Sequence, residues 1–530
     1  MADTKREIER KYEAAPGEEV RLPRLTGVAG VETVTDEGVA ELDATYYDTP
    51  GLRLAAARIT LRRRTGGSDA GWHLKLPVST GVRDEVRAPL ADTVPPELAE
   101  LVRARTRGEQ LLPLLRIRSA RDVRHLLDKK GRLLAELSVD GVTAERLGGD
   151  ERAGAGRART ARWTEVEVEL AEGTTDVALL DAVGKRLRKA GLRPSKAPSK
   201  LARALQETGT VTGSETGAGT GTGSAAPRAA AAKAGPDTAG GRVLAFVREQ
   251  FDALLAQDPA VRRDLPDSVH QMRVASRRLR SAFKSFGKVL DRSVTDAVGE
   301  ELKWLAGELG VDRDQEVLAE RLDAMVAEVP DTLLLGPVEA RLRIWRTSRG
   351  SGARQRTLAA LDSDRYTALL DSLEALLADP PLRAPATEPA RTVLPKALLK
   401  DYDRLAGRVA RALALGPGKE RDLAMHEARK AAKRARYAGE LAVPALGRPA
   451  KRFAKRMKAV QTLLGEHQDS VVAREALRGL AIDAHAAGES AFVWGLLHGR
   501  EEARAAGTER ELSAVWEKAS GPRIRAALGG

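Results

Sequence analysis

The N-terminal part of the chain, to about residue 205, alternates between charged and apolar positions over several short segments. Near its start, Glu7, Glu9 and Lys11 occupy every second position, with Ile8 and Arg10 between them. Because residues two apart in a β-strand point to the same face, this spacing predicts a strand with three charged side chains on one side. Four further segments alternate: Arg58–Arg64, Trp72–Leu76, Arg83–Ala88 and Glu165–Leu170.

A fifth segment, Leu133–Val139, is apolar with one internal acid, Glu136, and turns are predicted at Gly66–Asp69 and Asp140–Gly141. For any single strand the simplest interpretation is a half-buried strand with its charges toward solvent. Taken together, however, the strands carry acids and bases on one face. We therefore expect a closed barrel with a charged lumen, covered outside by helices such as the one predicted at Val177–Ala190.

The C-terminal part has a different period. From Arg242 to about Ala527, leucine and alanine recur every three or four residues, which predicts helices. Breaks fall at Pro380–Pro381, Pro385 and Gly416–Gly418. The predicted organisation is an α+β multidomain chain whose parts are a tunnel domain at 1–205, a flexible linker rich in Gly, Thr and Ala at 206–241, and an all-α domain at 242–527 made of two bundles, 242–385 and 386–527.

Composition narrows the possible partners. The formal net charge of +13 and pI of about 9.8 favour polyanions. Aromatic residues make up only 3% of the chain, which makes nucleic acid an unlikely ligand because single strands bind by stacking on aromatic rings. The absence of cysteine excludes disulfides and thiolate chemistry. No signal-like core or apolar run of about 20 residues occurs, so we expect a cytoplasmic protein without a membrane partner.

The helical part contains an internal repeat. His270, Arg273, Arg277 and Arg280 recur as His426, Arg429, Lys433 and Arg436, at an offset of 156 (426 − 270). A second pair of segments, Leu309–Asp314 and Leu464–Asp469, follows at an offset of 155 (469 − 314). Two matches at nearly one offset predict a double bundle with internal pseudo-twofold symmetry.

Each set of four forms one stripe along a helix, about three turns long. Like charges at this spacing repel, so two facing stripes would favour an anion between them, and arginine forks suit phosphate. A solvated basic face is the alternative for either stripe alone. The histidines have a second possible role, which is to fix the segments bearing Asp314 and Asp469, and these aspartates are expected to orient arginines.

The motifs resemble two known families. Glu7-Ile8-Glu9-Arg10-Lys11 resembles the Glu-x-Glu-x-Lys signature of the CYTH domain, a branch of the triphosphate tunnel metalloenzymes. The repeated His-x-x-Arg helices resemble the CHAD domain, which commonly follows CYTH. The resemblance implies an eight-stranded antiparallel tunnel that hydrolyses a triphosphate with a divalent metal, followed by a helical domain that binds inorganic polyphosphate.

The resemblance also implies roles for individual residues. Glu7, Glu9, Lys11 and Lys75 would be catalytic. Triphosphate would be held by Lys11, Arg62, Arg64, Lys75, Arg83, Arg121 and Lys200, with Arg116, Arg118 and Arg124 as alternatives to Arg121. Mg²⁺ or Mn²⁺ would be held by Glu7, Glu9, Asp140, Glu165, Glu167 and Glu169. Polyphosphate would be bound by the two stripes, His270, Arg273, Arg277, Arg280, His426, Arg429, Lys433 and Arg436.

The favoured function is therefore metal-dependent hydrolysis of inorganic triphosphate, joined to polyphosphate binding. Water would attack a terminal phosphorus while the metal and the basic side chains neutralise charge on the transferred group. One alternative is a non-catalytic polyphosphate-binding protein that is targeted to polyphosphate granules. Thiamine triphosphatase and adenylate cyclase activities also remain open, because a fold does not fix a substrate.

Overall fold

The computed structural model describes residues 3–14, 20–147, 160–209, 234–350 and 352–529, apart from the side chains of 3, 311–313, 349, 350 and 353. The chain divides into two compact units, Met1–Ala225 and Ala226–Gly530. The predicted linker falls mostly on residues 210–233, which lie outside the described part of the chain. The precise domain boundaries stay predictions.

The first unit is a closed barrel. Its strands are β1 (Asp3–Glu13), β2 (Thr33–Asp48), β3 (Thr60–Thr65), β4 (Gly71–Ser79), β5 (Val82–Ala88), β6 (Leu112–Leu127), β7 (Leu133–Arg146), β8 (Thr160–Leu170) and the two-residue β9 (Arg193–Pro194). The order β5-β4-β3-β2-β6-β7-β8-β1 closes on itself, because β1 pairs with β8 over Glu9–Glu13 and with β5 over Asp3–Ile8. All neighbours are antiparallel, which confirms the predicted eight-stranded tunnel.

The outer face of the barrel is apolar and is covered by helices α1 (Arg53–Ala56), α2 (Pro96–Thr106), α3 (Val177–Lys189) and α4 (Lys200–Glu207). Trp72, Leu74 and Leu76 of β4 pack in one cluster with leucines of α2. Ile8 and Tyr12 of β1 pack with α3, and the absence of a side chain at Gly184 leaves room there for the Tyr12 ring. Apolar residues therefore alternate outward and charged residues inward, as the sequence predicts.

One predicted turn is wrong. β7 continues through Asp140–Gly141 to Arg146, and Gly141 pairs with both Ala120 of β6 and Thr164 of β8. Gly141 is absent from the described glycines with positive φ, so it lies in the strand like any other residue. By contrast, Gly66 and Gly67 do adopt positive φ in the predicted turn between β3 and β4.

The second unit is helical throughout the ranges described. Its helices are α5 (Ala239–Arg262), α6 (Ser268–Ser285), α7 (Arg292–Glu308), α8 (Gly310–Ala327), α9 (Val338–Gly350), α10 (Ala353–Asp362), α11 (Asp364–Ala378), α12 (Ala390–Ala414), α13 (Lys419–Leu446), α14 (Arg448–Ala486), α15 (Phe492–Ser520) and α16 (Pro522–Gly529), with 3-10 turns at Asp331–Leu333 and Ala384–Thr387. The predicted proline and glycine breaks lie between α11 and α12 and between α12 and α13. Among the described helices, none has the length and apolar content of a membrane span.

The repeat is visible in the packing. α6 contacts α5 and α7, and α13 contacts α12 and α14 in the same way. These halves meet because α5 and α6 also contact α12 and α13. They differ at the second repeated segment: Leu309 separates α7 from α8, whereas Leu464 lies inside the single long helix α14.

Candidate active site

The lumen of the barrel is a cavity of about 250 Å³ lined by charged side chains. Nine basic and seven acidic residues line it. They include most of the predicted site residues, namely Glu7, Glu9, Lys11, Arg62, Arg64, Lys75, Arg83, Arg121, Glu167, Glu169 and Lys200. The two remaining predicted residues, Asp140 and Glu165, are buried directly behind this lining.

Strand β1 supplies the residues of the opening motif. Glu7 accepts a hydrogen bond from Lys75 Nζ at 2.6 Å, and Glu9 lies 3.2 Å from Lys11 Nζ. Lys11 also pairs with Glu167, its neighbour on the adjacent strand β8. Each acid of the motif therefore faces a base, and Lys11 joins the motif to the last long strand.

Three carboxylates converge in the wall formed by β7 and β8. The ligand oxygens of Asp140, Glu165 and Glu167 lie within 4.8 Å of one another. Lys200 Nζ lies 3.0 Å from Asp140, 2.7 Å from Glu165 and 2.8 Å from Glu167. Lys200 begins α4, and Ser199 caps that helix by accepting a hydrogen bond from the Ala202 N–H. The cap therefore delivers one ammonium group to all three acids.

The electrostatics of these acids follow from burial opposed by nearby bases. Burial alone would raise the pKa of Glu167, but Lys11, Lys200 and Arg121 hold it well below its usual range. The pKa of Asp140 is likewise lowered against its burial, by Lys200 and Arg121. Glu7 differs: burial raises its pKa, and Lys75 offsets only part of that effect. The bases therefore lower the pKa of Glu167 and of Asp140, whereas the pKa of Glu7 lies above its usual value.

The arginines form the opposite charge of the lumen. Arg121 binds Asp140 with both arms of its fork, at 2.7 and 2.9 Å, and Glu167 at 2.9 Å. The three alternatives to Arg121 lie on the other face of β6, because they are an odd number of residues from it. Arg116 pairs with Asp43, Arg118 with Glu145 and Arg124 with Asp122.

Arg64 lies in a strongly basic part of the wall. Burial, together with neighbouring Arg62 and Arg121, lowers the pKa of Arg64 to about 9. Arg64 pairs with Asp69, and Arg62 lies 3.6 Å from Glu85. An anion placed between these arginines would add to the compensation that these acids provide.

Several lumen residues were missed by the sequence reasoning. Lys5 extends the alternation of β1 by one step and binds Glu169 at 2.6 Å. Glu85 is the hub of one wall, where it contacts Lys75, His73 and Arg87. Burial lowers the pKa of His73 to about 4, so this imidazole is neutral at physiological pH. The alternation of Arg83, Glu85 and Arg87 placed Glu85 on the charged face of its strand without giving it a role in the site, whereas Tyr46 carries no such signal.

The acids provide a suitable donor set for a hard divalent cation. Mg²⁺ and Mn²⁺ prefer carboxylate oxygens, and this cluster presents three of them around a position already held by a cation, the Lys200 ammonium. The residues therefore fit a metal, provided that Lys200 moves. The surrounding lysines and arginines suit the negative charge of phosphate groups.

The second basic region lies where α6 and α13 meet. We use the name central cluster for Arg273, Arg277, Arg429 and Lys433. Arg277 is affected electrostatically by both Arg273 and Arg429, and Lys433 by Arg429, Arg277 and Arg273, so the two stripes do approach each other here. Burial, followed by Arg429 and Arg277, lowers the pKa of Lys433 to about 7.

The ends of the stripes diverge. Arg280 donates to the Gly299 carbonyl of α7 at 3.1 Å, and its counterpart Arg436 binds Glu440 and Gln461, the latter on α14. Straight helices that cross are close only near the crossing. The two stripes were expected to face each other along their whole length, but only their middle parts, the central cluster, do so.

Each half holds one arginine of the cluster with an aspartate. Arg273 binds Asp314 at 2.9 and 3.1 Å, and Arg429 lies 3.8 Å from Asp469, as predicted for these aspartates. His426 contacts Gln468, the residue before Asp469, so it fixes that segment. His270 is half-buried and also has an interaction partner. This contact favours a role for His426 in fixing the segment that bears Asp469 over a role in binding a ligand directly.

Comparisons with known proteins agree with this architecture. Residues 5–205 match the CYTH domain family, and residues 245–478 match the CHAD domain family. Rv2226 of Mycobacterium tuberculosis is 38% identical over 522 residues, which cover 97% of this chain and 96% of that protein. The chain belongs to the CYTH–CHAD family. We refer below to its CYTH domain and its CHAD domain.

Two further relatives each match part of the chain. Human thiamine-triphosphatase is 44% identical over 82 residues, which cover 16% of this chain and 31% of that enzyme. The crystal structure of the CHAD domain from the plant Ricinus communis is 26% identical, with a TM-score of 0.41, and the match covers 55% of this chain and 92% of that one.

Proposed function

We propose that the CYTH domain hydrolyses inorganic triphosphate with Mg²⁺ or Mn²⁺ and that the CHAD domain binds inorganic polyphosphate. The observation that carries the first half is the lumen, where acids suited to a metal and bases suited to phosphate face each other in one cavity of about 250 Å³. A lumen of this kind is a poor core, because every buried charge in it requires a partner. Such a concentration of charge is expected at a functional site.

The basic residues would bind the phosphate chain. Lys11, Lys75 and Arg121 are oriented by the acids they contact, while Arg62, Arg64 and Arg83 provide the remaining positive wall. As phosphate oxygens enter, Lys200 would leave its three carboxylates and bind the chain. Positioning and charge neutralisation of this kind are the main requirements for phosphoryl transfer.

The acids would hold the metal. The ligands would come from Glu7, Glu9, Asp140, Glu165, Glu167 and Glu169. When bound, the cation would neutralise phosphate oxygens and favour deprotonation of water. A carboxylate of the lumen wall would take up or orient the proton of the attacking water.

The second half of the proposal rests on the central cluster, where four bases from two helices lie together between Asp314 and Asp469. A linear polyanion would relieve this repulsion. If the tunnel proves inactive, the non-catalytic alternative of targeting to polyphosphate granules would depend on this cluster alone.

Thiamine triphosphate is the second candidate substrate, because thiamine-triphosphatases share 44% identity with the chain over 82 residues. The lumen favours the inorganic chain: of its described lining residues, only Tyr46 is aromatic, and an organic ring would find little apolar surface.

A substrate panel tests the proposal. Tripolyphosphate, ATP, thiamine triphosphate and long polyphosphate are each incubated with Mg²⁺ and with Mn²⁺, and phosphate release is measured. Tripolyphosphate should be hydrolysed fastest, and Lys75→Ala should reduce its turnover by roughly 100-fold or more through loss of a preorganised charge.

Lys185→Ala, at an exposed lysine of α3, provides the matched control and should retain full activity. Absence of turnover by the wild type with either metal would refute the enzymatic half. Preference for thiamine triphosphate would refute the inorganic substrate only.

A further inference from the structure

The CHAD domain contains a basic cavity that the two stripes did not predict. We call it the α6–α12 pocket, a space of about 550 Å³ between the C-terminal end of α6, the segment that follows it, and α12. Among the described residues that line it, one is an acid, Glu388. Eight are bases, namely Lys284, Lys288, Arg292, Lys396, Lys400, Arg404, Arg408 and Arg434. A concave site lined mainly by positive charges attracts anions.

Four lysines of the pocket are available to a ligand, whereas Arg292 pairs with Asp296 and Arg408 pairs with Glu427. Lys284, Lys288, Lys396 and Lys400 are exposed and have no ion pair with any side chain in the described ranges. Buried Asp401 lies 2.8 Å from Arg404 and 3.8 Å from Arg434, and it also accepts a hydrogen bond from Ser285. One acid thus orients two arginine forks, while Asp401 and Glu300 act on Lys400 and Lys284 only through space.

The pocket is continuous with one predicted stripe. A second cavity of about 450 Å³ shares Lys284, Arg404, Arg408 and Arg434 with it and extends to Arg280. Arg280 is one helical turn from Arg277 of the central cluster. The lining of this second cavity also contains Glu300 and Glu427. A path in which bases outnumber acids therefore leads from the central cluster along α6 into the α6–α12 pocket.

The internal repeat shows that this path exists on one side only. In the repeat, α12 corresponds to α5 at an offset of 151 residues (390 − 239). Equivalent contacts support this alignment: Arg278 donates to Gln250 of α5 at 3.5 Å, and its counterpart Arg434 lies near Asp401, the residue of α12 that corresponds to Gln250. At the positions equivalent to Lys284, Lys288, Lys396, Lys400, Arg404 and Arg408, the other half carries Glu440, Pro444, Ala245, Glu249, Ala253 and Gln257.

Glu440 shows what this difference does. It pairs with Arg278 at 3.0 Å and with Arg436 at 2.7 Å, so the arginines on that side are neutralised within the protein. On the pocket side, lysine stands in place of this acid. The two halves share a fold but differ in local charge, because six of the eight pocket bases have no base at the equivalent position, while Arg292 and Arg434 correspond to Arg448 and Arg278.

We propose that the α6–α12 pocket is a second, one-sided binding segment for polyphosphate, so that a long chain leaves the central cluster in one direction only. This inference rests on the proposed polyphosphate binding by the CHAD domain and adds a direction and a length dependence to it. Short chains would occupy the central cluster, and longer chains would also fill the pocket.

The test measures binding of polyphosphates of increasing length to the full chain, in EDTA to prevent hydrolysis and at fixed salt. Lys396→Ala/Lys400→Ala should weaken binding of long chains roughly tenfold, since each lost surface charge pair is worth up to about 1 kcal/mol. Binding of short chains should stay unchanged. The control, Lys185→Ala/Lys189→Ala, removes two exposed lysines four residues apart on α3 and should affect neither.

A gain-of-function variant tests direction. Ala245→Lys/Glu249→Lys places lysines at the equivalent exposed positions of α5 and should tighten binding of long chains by building a second path. The proposal of a one-sided pocket would be overturned if Lys396→Ala/Lys400→Ala lowered the affinity for short and long chains equally, or did not lower it at all. Either result would leave the proposed polyphosphate binding by the domain standing. Failure of the wild type to bind any length would overturn both.

Discussion

The lumen of the CYTH domain and the central cluster of the CHAD domain both concentrate positive charge, but only the lumen balances it. In the lumen, nine bases face seven lining acids, and Asp140 and Glu165 stand behind them. In the central cluster, four bases share Asp314, which is 74% exposed, and Asp469. The lumen holds its charge partners within the protein, whereas the cluster leaves part of the compensation to a ligand.

Apart from Arg64, whose pKa is lowered by burial and by neighbouring arginines, the pKa values show the same difference. In the lumen, bases lower the pKa of Glu167 and Asp140 in spite of their burial, and the acids raise that of Lys200. In the central cluster, burial and like charge lower the pKa values of Arg277 and Lys433. A balanced set suits a site that must hold both a cation and an anion, and an unbalanced set suits a site that binds only an anion.

The largest effect is expected from removing an acid of the lumen. Glu167→Gln leaves Lys11, Lys200 and Arg121 with one fewer partner, so phosphate release from tripolyphosphate should fall by roughly 100-fold or more. The unfolding free energy of the CYTH domain should also fall, by about 3 kcal/mol, because a buried network loses a charge.

Both quantities can be measured on one preparation, by phosphate assay and by denaturant titration. Glu145→Gln, on the outer face of β7, is the matched control and should change neither. An active Glu167→Gln enzyme would contradict the view that the lumen works by balanced charge.

The opposite sign is expected in the central cluster. Arg277→Met removes a partly buried base that repels Arg273 and Arg429, so the ligand-free CHAD domain should become more stable by about 1 kcal/mol. Polyphosphate affinity should fall roughly tenfold at the same time, because a phosphate contact is lost. Denaturation without ligand and binding by calorimetry measure the two effects.

Phosphate release from tripolyphosphate should be unchanged in Arg277→Met, which separates the two domains. Loss of stability together with loss of binding would instead mean that Arg277 is a structural residue whose charge the fold needs.

The smallest effect is a dependence on pH. The pKa of Lys433 is about 7 in the free protein, and a bound polyanion should raise it, so binding takes up a proton above pH 7. Affinity should therefore fall as pH rises, by at most about eightfold from pH 6.5 to 8 if the bound lysine stays charged throughout.

The control is Lys433→Arg, because arginine keeps its charge over this pH range. A pH dependence that remains in this variant would come from titration of the polyphosphate and not from residue 433. This variant should show a flatter pH profile, and calorimetry in buffers of different ionisation enthalpy should report less proton uptake. Identical profiles for wild type and variant would count against Lys433 as the titrating group.

Much of the barrel was predictable because a strand has a period of two. The alternation of Glu7, Glu9 and Lys11 with Ile8 placed the charges in the lumen and the apolar residue outside. Asp140–Gly141 shows the limit: glycine next to aspartate is typical of a turn, but pairing with strands on both sides decided the conformation. Local propensity is overridden where neighbouring strands supply hydrogen bonds.

The helical site was less predictable. Spacing placed Arg273, Arg277 and Arg280 on one stripe, but the crossing of α6 and α13 decides which of them meet the other helix. The α6–α12 pocket depends on Lys396 and Lys400, far from the repeated motif, so no local pattern indicated it. Long-range packing therefore set the parts of the site that spacing could not.

The position of Lys200 at the start of α4 has a consequence for metal affinity. Because the chain tethers its ammonium beside Asp140, Glu165 and Glu167, it competes with any metal at a high effective concentration. Under the proposed function, the metal should bind weakly until phosphate draws Lys200 away, and phosphate should in turn bind more tightly once metal is present. The two ligands would then be positively cooperative, with a reciprocal coupling that arises from one side chain.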